Sequence, residues 1–191
     1  MLRSVLKSLR RSDVPTGERR LHIGGLERVD GWEILNVVPG PAVDHVGNAV
    51  DLRRFPNGTF AALYASHVLE HLDYKGDLQA ALREWQRVLA PDGKLFVSVP
   101  DLAILARLYL ADGLDMEHRF MLVRMLFGGH VDAHDYHQMA FDFDLLANFL
   151  REAGFVAIER VADLGLFNDT SRMLFAGVPV SLNVIARKPG A

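Results

Sequence analysis

The stretch Phe60-Ala-Ala-Leu-Tyr-Ala-Ser-His-Val-Leu-Glu-His71 constrains the fold more than any other. Its apolar run, Ala61 to Ala65, follows the turn signal Pro56-Asn57-Gly58 and reads as a strand buried on both faces, as in a parallel sheet. Ser66, His67, Glu70 and His71 then fall at the carboxyl end of that strand, where open α/β sheets place their ligands. Over residues 74–90 the apolar positions Leu78, Ala81, Leu82, Trp85, Val88 and Leu89 form a helical stripe. Pro91-Asp92-Gly93 turns the chain into a second apolar strand, Lys94 to Pro100. The unit is strand, helix, strand, with its chemistry at the strand ends.

The flanking segments extend this unit into a sheet. Leu21 to Gly25, Trp32 to Val38 and Val43 to Asn48 each read as a short strand. The links between them are too short for a full helical crossover, so the helices of the first half are expected to be reduced. Asp101 is placed to cap a helix from Leu102 to Leu110, and a further helix runs from Glu117 to Phe127, where Gly128-Gly129 breaks it. Asp142 or Asp144 caps a helix over 145–152, stopped at Gly154, and strands at 156–161 and 180–188 close the sheet.

At 191 residues the chain suits one domain, residues 21–191, preceded by an N-terminal basic helix and connector over 1–20. Leu2, Val5, Leu6 and Leu9 alternate with Arg3, Lys7, Arg10 and Arg11 at helical spacing. That pattern suits either peripheral contact with an anionic membrane surface or packing on the domain or a partner chain. No secretory core follows it, and a cytoplasmic protein is expected. The net charge of -3 argues against a nucleic-acid partner held by a basic face. The lack of cysteine excludes disulfides, thiolate catalysis and zinc ribbons.

Several residues carry chemistry, each with a plainer alternative. Gly24-Gly25 after the first strand either lets the backbone approach a nucleotide or makes a simple turn. Asn36 ends the second strand where a nucleotide-binding sheet usually has an acidic residue for ribose hydroxyls, and Asn48 ends the third, where it could read an adenine edge. His67-Val-Leu-Glu-His71 matches the H-x-x-E-H zinc pattern, though a helix aligning both histidines has little room to begin straight after the strand. The plain reading has Ser66 and His67 lining a cleft while Glu70 and His71 hold the loop. His130, His134 and His137, with Asp132, Asp135 and Tyr136, form the densest ionisable cluster. It could bind a metal, supply a general base, or cap a solvated loop.

Taken together, Leu21 to Gly25, Asn48-Ala-Val-Asp-Leu52, Phe55 to Phe60, Tyr64 to His71 and Glu84 to Leu95 resemble the class I S-adenosylmethionine-dependent methyltransferases, nearest the type 11 or UbiE-like group. The resemblance implies an α/β, Rossmann-like methyltransferase sheet, mostly parallel with an antiparallel final strand. It also implies S-adenosylmethionine as cofactor. Gly24 and Gly25 would face the methionine end, Asn36 the ribose, and Asn48 with Ala49 the adenine. Ser66 and His67 would border the methyl-transfer site. The cofactor motifs are eroded: His22 stands where the family usually has an acidic residue, Leu26 where it has a further glycine, and both asparagines replace aspartates. The implied function is methyl transfer to an oxygen or nitrogen of a small-molecule or glycan-like acceptor, with His67 as first candidate base and His134 or His137 second. Tyr136 and Asp135 could orient the acceptor, and no metal is assigned. The rival is a non-catalytic protein of this fold that binds a partner or ligand.

Overall fold

The computed structural model describes residues 19–190. The basic helix expected near the N-terminus, and all but the last two residues of its connector, lie outside the described residues. Seven strands form the main sheet: β1 (Arg20–Ile23), β2 (Glu33–Asn36), β3 (His45–Val46), β4 (Phe60–Ser66), β5 (Leu89–Pro100), β6 (Val156–Val161) and β9 (Ser181–Arg187). Their spatial order is β3-β2-β1-β4-β5-β9-β6. The pairs from β3 to β5 are parallel, and β9 is antiparallel to both β5 and β6, so the mixed sheet implied by the family resemblance is observed. A small hairpin, β7 (Leu174–Phe175) with β8 (Val178–Pro179), stands apart.

The helices fall almost entirely in the second half: α1 (Asp77–Val88), α2 (Leu102–Tyr109), α3 (Met116–Phe127) and α4 (Phe143–Glu152). Among the described residues no α-helix precedes Asp77, and no helix is long and apolar enough to cross a membrane. Asp101 caps α2 by accepting from the Ile104 N–H at 3.1 Å, and Asp142 caps α4 through the Leu145 N–H at 2.8 Å. The Pro91-Asp92-Gly93 turn lies within β5 rather than before it. Phe60 pairs with Leu89 and Ala62 with Lys94, so residues 90–93 loop out of the ladder as a bulge.

β4 is central because both its faces are covered. Leu63 and Ala65 join the main core with Trp85, Leu82 and Leu78 of α1 and Leu146 and Leu150 of α4. The Trp85 indole N–H reaches the Ala49 carbonyl at 2.9 Å, so this buried ring leaves no polar atom unpaired. Ala62 and Tyr64 point the other way, to Trp32, Phe96, Leu164 and Phe167. That face lacks the helices of a doubly wound sheet among the described residues; the segment 162–172 lies over it instead. The Tyr64 hydroxyl donates to the Asp169 carboxylate at 2.8 Å and holds the segment down. His22 sits in the same aromatic layer, edge-on to Tyr64 at 4.9 Å between ring centres and 4.3 Å from Phe167.

Arg87 latches α1 to the loop that leads into β4. Its guanidinium donates to the carbonyls of Phe55 and Leu52 at 2.9 and 3.0 Å and to the Asn57 side-chain oxygen at 2.9 Å. Glu84 completes the fork at 2.7 and 2.9 Å and accepts from the Leu52 N–H at 3.2 Å. Lysine keeps the charge but cannot reproduce a planar fork. Arg87→Lys is therefore expected to destabilise the fold by about 2 kcal/mol, a melting-point drop of roughly 4–8 °C in a chain of this size; an unchanged melting curve would contradict the latch. Burial holds the His22 pKa down to about 4, against the weaker pull of Asp169. The unfolded chain protonates this ring near 6.5, so its contribution to stability is undiminished above that pH and declines as the pH falls toward 4. An NMR titration placing the His22 midpoint near 6.5 would contradict this burial.

Candidate functional site

The site grows from the carboxyl end of β4. The His67 N–H still reaches the Ser98 carbonyl at 2.8 Å, one residue beyond the strand. Its φ of 54° is left-handed, which a residue with a side chain adopts only when its surroundings impose it. The chain then leaves the sheet and makes a single 3-10 turn, Leu69–His71. Ser181 Oγ donates to the Thr170 carbonyl at 2.7 Å, so its contact with His67 Nε2 at 3.1 Å is one in which the ring N–H donates. The lone pair of His67 is then on Nδ1. Burial, reinforced by the neighbouring His137, holds the His67 pKa down to about 4, so the ring is neutral at physiological pH.

Three cavities meet at His67. The first, 390 Å³, lies beyond β1, β2 and β3 and is lined by Gly24, Asn36, Val38, Asn48, Ala49 and His134. The second, 340 Å³, is mainly apolar and lies under α2 and α3, with Leu105, Met121, Met125, Met173 and Val180 on its walls and Arg124 and His137 among its polar residues. The third, 770 Å³, opens between the β1 turn and residues 165–172 and includes His22, Gly25 and Ser66. His67 lines all three.

The structure thus divides the residues singled out in the sequence. Side chains alternate along β1, so Leu21 and Ile23 enter the main core while His22 faces the aromatic layer. His22 and Ser66 line the third cavity, whereas Asn36, Asn48 and Ala49 line the first. The Ser66 hydroxyl meets the Thr170 hydroxyl at 3.0 Å. Gly24 has φ +80°, and a Cβ there would come within 2.8 Å of a Val68 methyl, so glycine is required for this approach. Asn36 donates to the Gly25 carbonyl at 3.0 Å and accepts from the Val38 N–H at 2.9 Å. A carboxylate could not make the first of these bonds. Asn48 accepts from the Val50 N–H at 3.0 Å and so shapes the wall beside Ala49.

The histidine-rich loop is ordered by its backbone. Gly128, at φ +88°, lets the chain pass so close to the Asp135 carbonyl that no Cβ would fit. The N–H groups of His130 and His137 then bond the carbonyls of Asp135 and Phe127, both at 3.1 Å. His130 stacks on Tyr136 at the surface, and His134 is exposed. His137 turns inward and meets His71 edge to face at 4.7 Å. Glu70 is fully buried, with neither carboxylate oxygen hydrogen-bonded among the described residues. Its Oε1 is 3.2 Å from His67 Nδ1 but out of line for a hydrogen bond. Burial pushes the Glu70 pKa up to about 8. Ligand atoms of Glu70, His71 and His137 all lie within 4.8 Å of one another.

Two participants had little or no signal in the sequence. Ser181 begins a strand and looked like any strand residue. Two of the apolar cavity walls, Met121 and Met125, come from α3, whose hydrophobic residues do not fall on one face; their pairing one turn apart was the available hint.

A family model described as a methyltransferase domain matches residues 18–160. No curated protein sequence matches the chain. Among solved structures, an S-adenosylmethionine-dependent methyltransferase from Archaeoglobus fulgidus superposes with a TM-score of 0.56 at 17% identity, covering 90% of this chain and 87% of that one. The Burkholderia thailandensis 1,6-didemethyltoxoflavin-N1-methyltransferase, with its substrate and S-adenosylhomocysteine bound, gives 0.55 at 17%, covering 90% and 72%. A Bordetella parapertussis protein gives 0.55 at 15%, and although 91% of this chain is covered, the chain spans only 63% of that protein. At these identities the likeness is one of fold. The family match covers most of the chain, and the chain belongs to the methyltransferase domain family.

Proposed function

We propose that the protein is a cytoplasmic, UbiE-like enzyme that methylates an oxygen or nitrogen of a small-molecule or glycan-like acceptor, using S-adenosylmethionine. The observation that carries this reading is the position of His67, a neutral imidazole common to the cavity beyond β1–β3 and the apolar cavity under α2 and α3. S-adenosylmethionine supplies an electrophilic methyl group on a sulfonium centre. The first cavity fits it in size and chemistry. Gly24 brings backbone close without a side chain, Val38 and Ala49 give apolar walls for a purine, and Asn48 keeps the amino end of its side chain for a ring nitrogen. Asn36 spends its amide on Gly25 and Val38, so the ribose position lacks a charged acceptor, in keeping with eroded cofactor motifs.

The second cavity takes the acceptor. Leu105, Met121, Met125, Met173 and Val180 give it apolar walls, and a bound molecule there lies next to His67. Ser181 holds the His67 tautomer. The lone pair on Nδ1, beside the Glu70 carboxyl at 3.2 Å, is the one that would take the proton an acceptor hydroxyl gives up.

Calorimetric titration with S-adenosylhomocysteine is expected to show a single site; no heat at millimolar ligand would remove the cofactor assignment. Asn36→Asp supplies the carboxylate usual in the family but sets it against the Gly25 carbonyl. It is expected to weaken binding by roughly 10-fold or more rather than strengthen it, from loss of that buried bond. On an acceptor found by screening hydroxyl- and amine-bearing compounds, His67→Gln should lower kcat by about 10²–10⁴ while leaving S-adenosylhomocysteine affinity within a few fold. Full activity in that variant would remove His67 as the base.

A further inference from the structure

The mechanism above leaves Glu70 unexplained. A carboxyl group with no solvent contact and no hydrogen bond is costly wherever it is placed, and among the described residues both oxygens here are in that position. Nothing nearby suggests slack. The Glu70 carbonyl accepts from the N–H groups of Gln138 and Met139 at 2.7 and 3.2 Å, and the Gln138 side chain donates to the His71 carbonyl at 3.0 Å. These bonds stitch the 3-10 turn to the strand of chain that carries His137.

The two rings beside Glu70 have lone pairs to offer. His71 Nδ1 is 3.2 Å from the Tyr136 carbonyl, which can only accept, so Nδ1 carries the proton and Nε2 the lone pair. Anchoring one ring nitrogen on a carbonyl is the usual second contact of a metal-ligating histidine. His137 Nδ1 is buried without a partner among the described residues. Two neutral imidazoles and one carboxylate are the donor set of sites for divalent first-row transition ions, with coordination positions left open. Ligand atoms within 4.8 Å of one another would need to close by about 1 Å around an ion bound at ~2.1 Å.

We propose that Glu70, His71 and His137 bind a divalent first-row transition-metal ion, and that this ion holds an oxygen of the acceptor. His71 lines the first cavity and His137 the second, so an ion between them stands at the junction of the two. An acceptor bearing a hydroxyl, or two neighbouring hydroxyls, is the class that could ligate it. The acceptor part rests on the methyl-transfer reading; the ion-binding part does not.

The test uses full-length protein stripped with a chelator and dialysed against Mn(II), Co(II) or Zn(II) salts. Bound metal is measured by elemental analysis, and the Co(II) form by its visible absorption. The expected result is a single ion per chain and a Co(II) spectrum of nitrogen and oxygen ligation. Glu70→Gln and His137→Asn should each weaken uptake by roughly 10-fold or more with the circular dichroism retained. If Glu70→Gln does not fold, His137→Asn and His71→Gln decide. Substoichiometric uptake by the wild type, or uptake unchanged in the folded variants, overturns the site. S-adenosylhomocysteine titrated into the same samples separates the two readings. Cofactor binding without metal binding overturns the site and leaves methyl transfer standing. Metal binding without cofactor binding supports the ion site and removes its acceptor role.

Discussion

The hydrogen bond from the His67 N–H to the Ser98 carbonyl, 2.8 Å long, decides where the candidate site sits. It extends the β4–β5 pairing one residue past the strand and commits His67 to a left-handed backbone. From there the chain cannot continue in the sheet, and the 3-10 turn that follows places Glu70 inside the protein and His71 at its edge. The bond persists because β4 is buried on both faces, between the α1–α4 layer and the aromatic layer of Trp32, Tyr64, Phe96 and Phe167. Loss of packing on either face would release the strand end and the three cavities that meet there.

The sheet is lopsided, and the asymmetry shapes the site. On the α1 face the core is conventional helix-on-sheet packing. On the other face, a segment held by Tyr64 and Asp169 stands in for the helices absent among the described residues. The turns after β1 and β2 are accordingly held by side chains rather than by following helices. Asn36 is the clearest case, since its amide ties the β1 turn to the exit of β2. A residue that looks like a weakened ribose ligand is also a structural tie. The same economy places Ser181, the first residue of a strand, beside the imidazole it orients.

Much of the fold was legible in the sequence because the relevant signals are local. The apolar run of β4, the helical stripe of α1, the caps Asp101 and Asp142 and the shortness of the first connections led to the observed elements, and the antiparallel final strand came with the family resemblance. The site was only partly legible. His67 could be placed at a strand end, but of the three histidines between 130 and 137 the sequence favoured His134 and His137 equally as a second base. The backbone path set by Gly128 turns His137 inward, keeps His130 at the surface and leaves His134 exposed beside the first cavity. The H-x-x-E-H pattern was visible too, yet its usual helical geometry does not form here, and His67 and His71 face different neighbours.

By itself, then, the sequence determined the order of strands and helices, the burial of β4 and the end of the sheet at which polar chemistry gathers. Those follow from residue periodicity and turn chemistry over a few positions. Tertiary structure decided which side of the sheet each polar residue faces, that Asn36 is tied to the backbone, and that Glu70 lies buried beside two histidines, one of them 66 positions or more along the chain. Such convergence depends on where distant segments cross. The small set of hydrogen bonds between residues 70–71 and 136–139 fixes that crossing, and no local pattern encodes it.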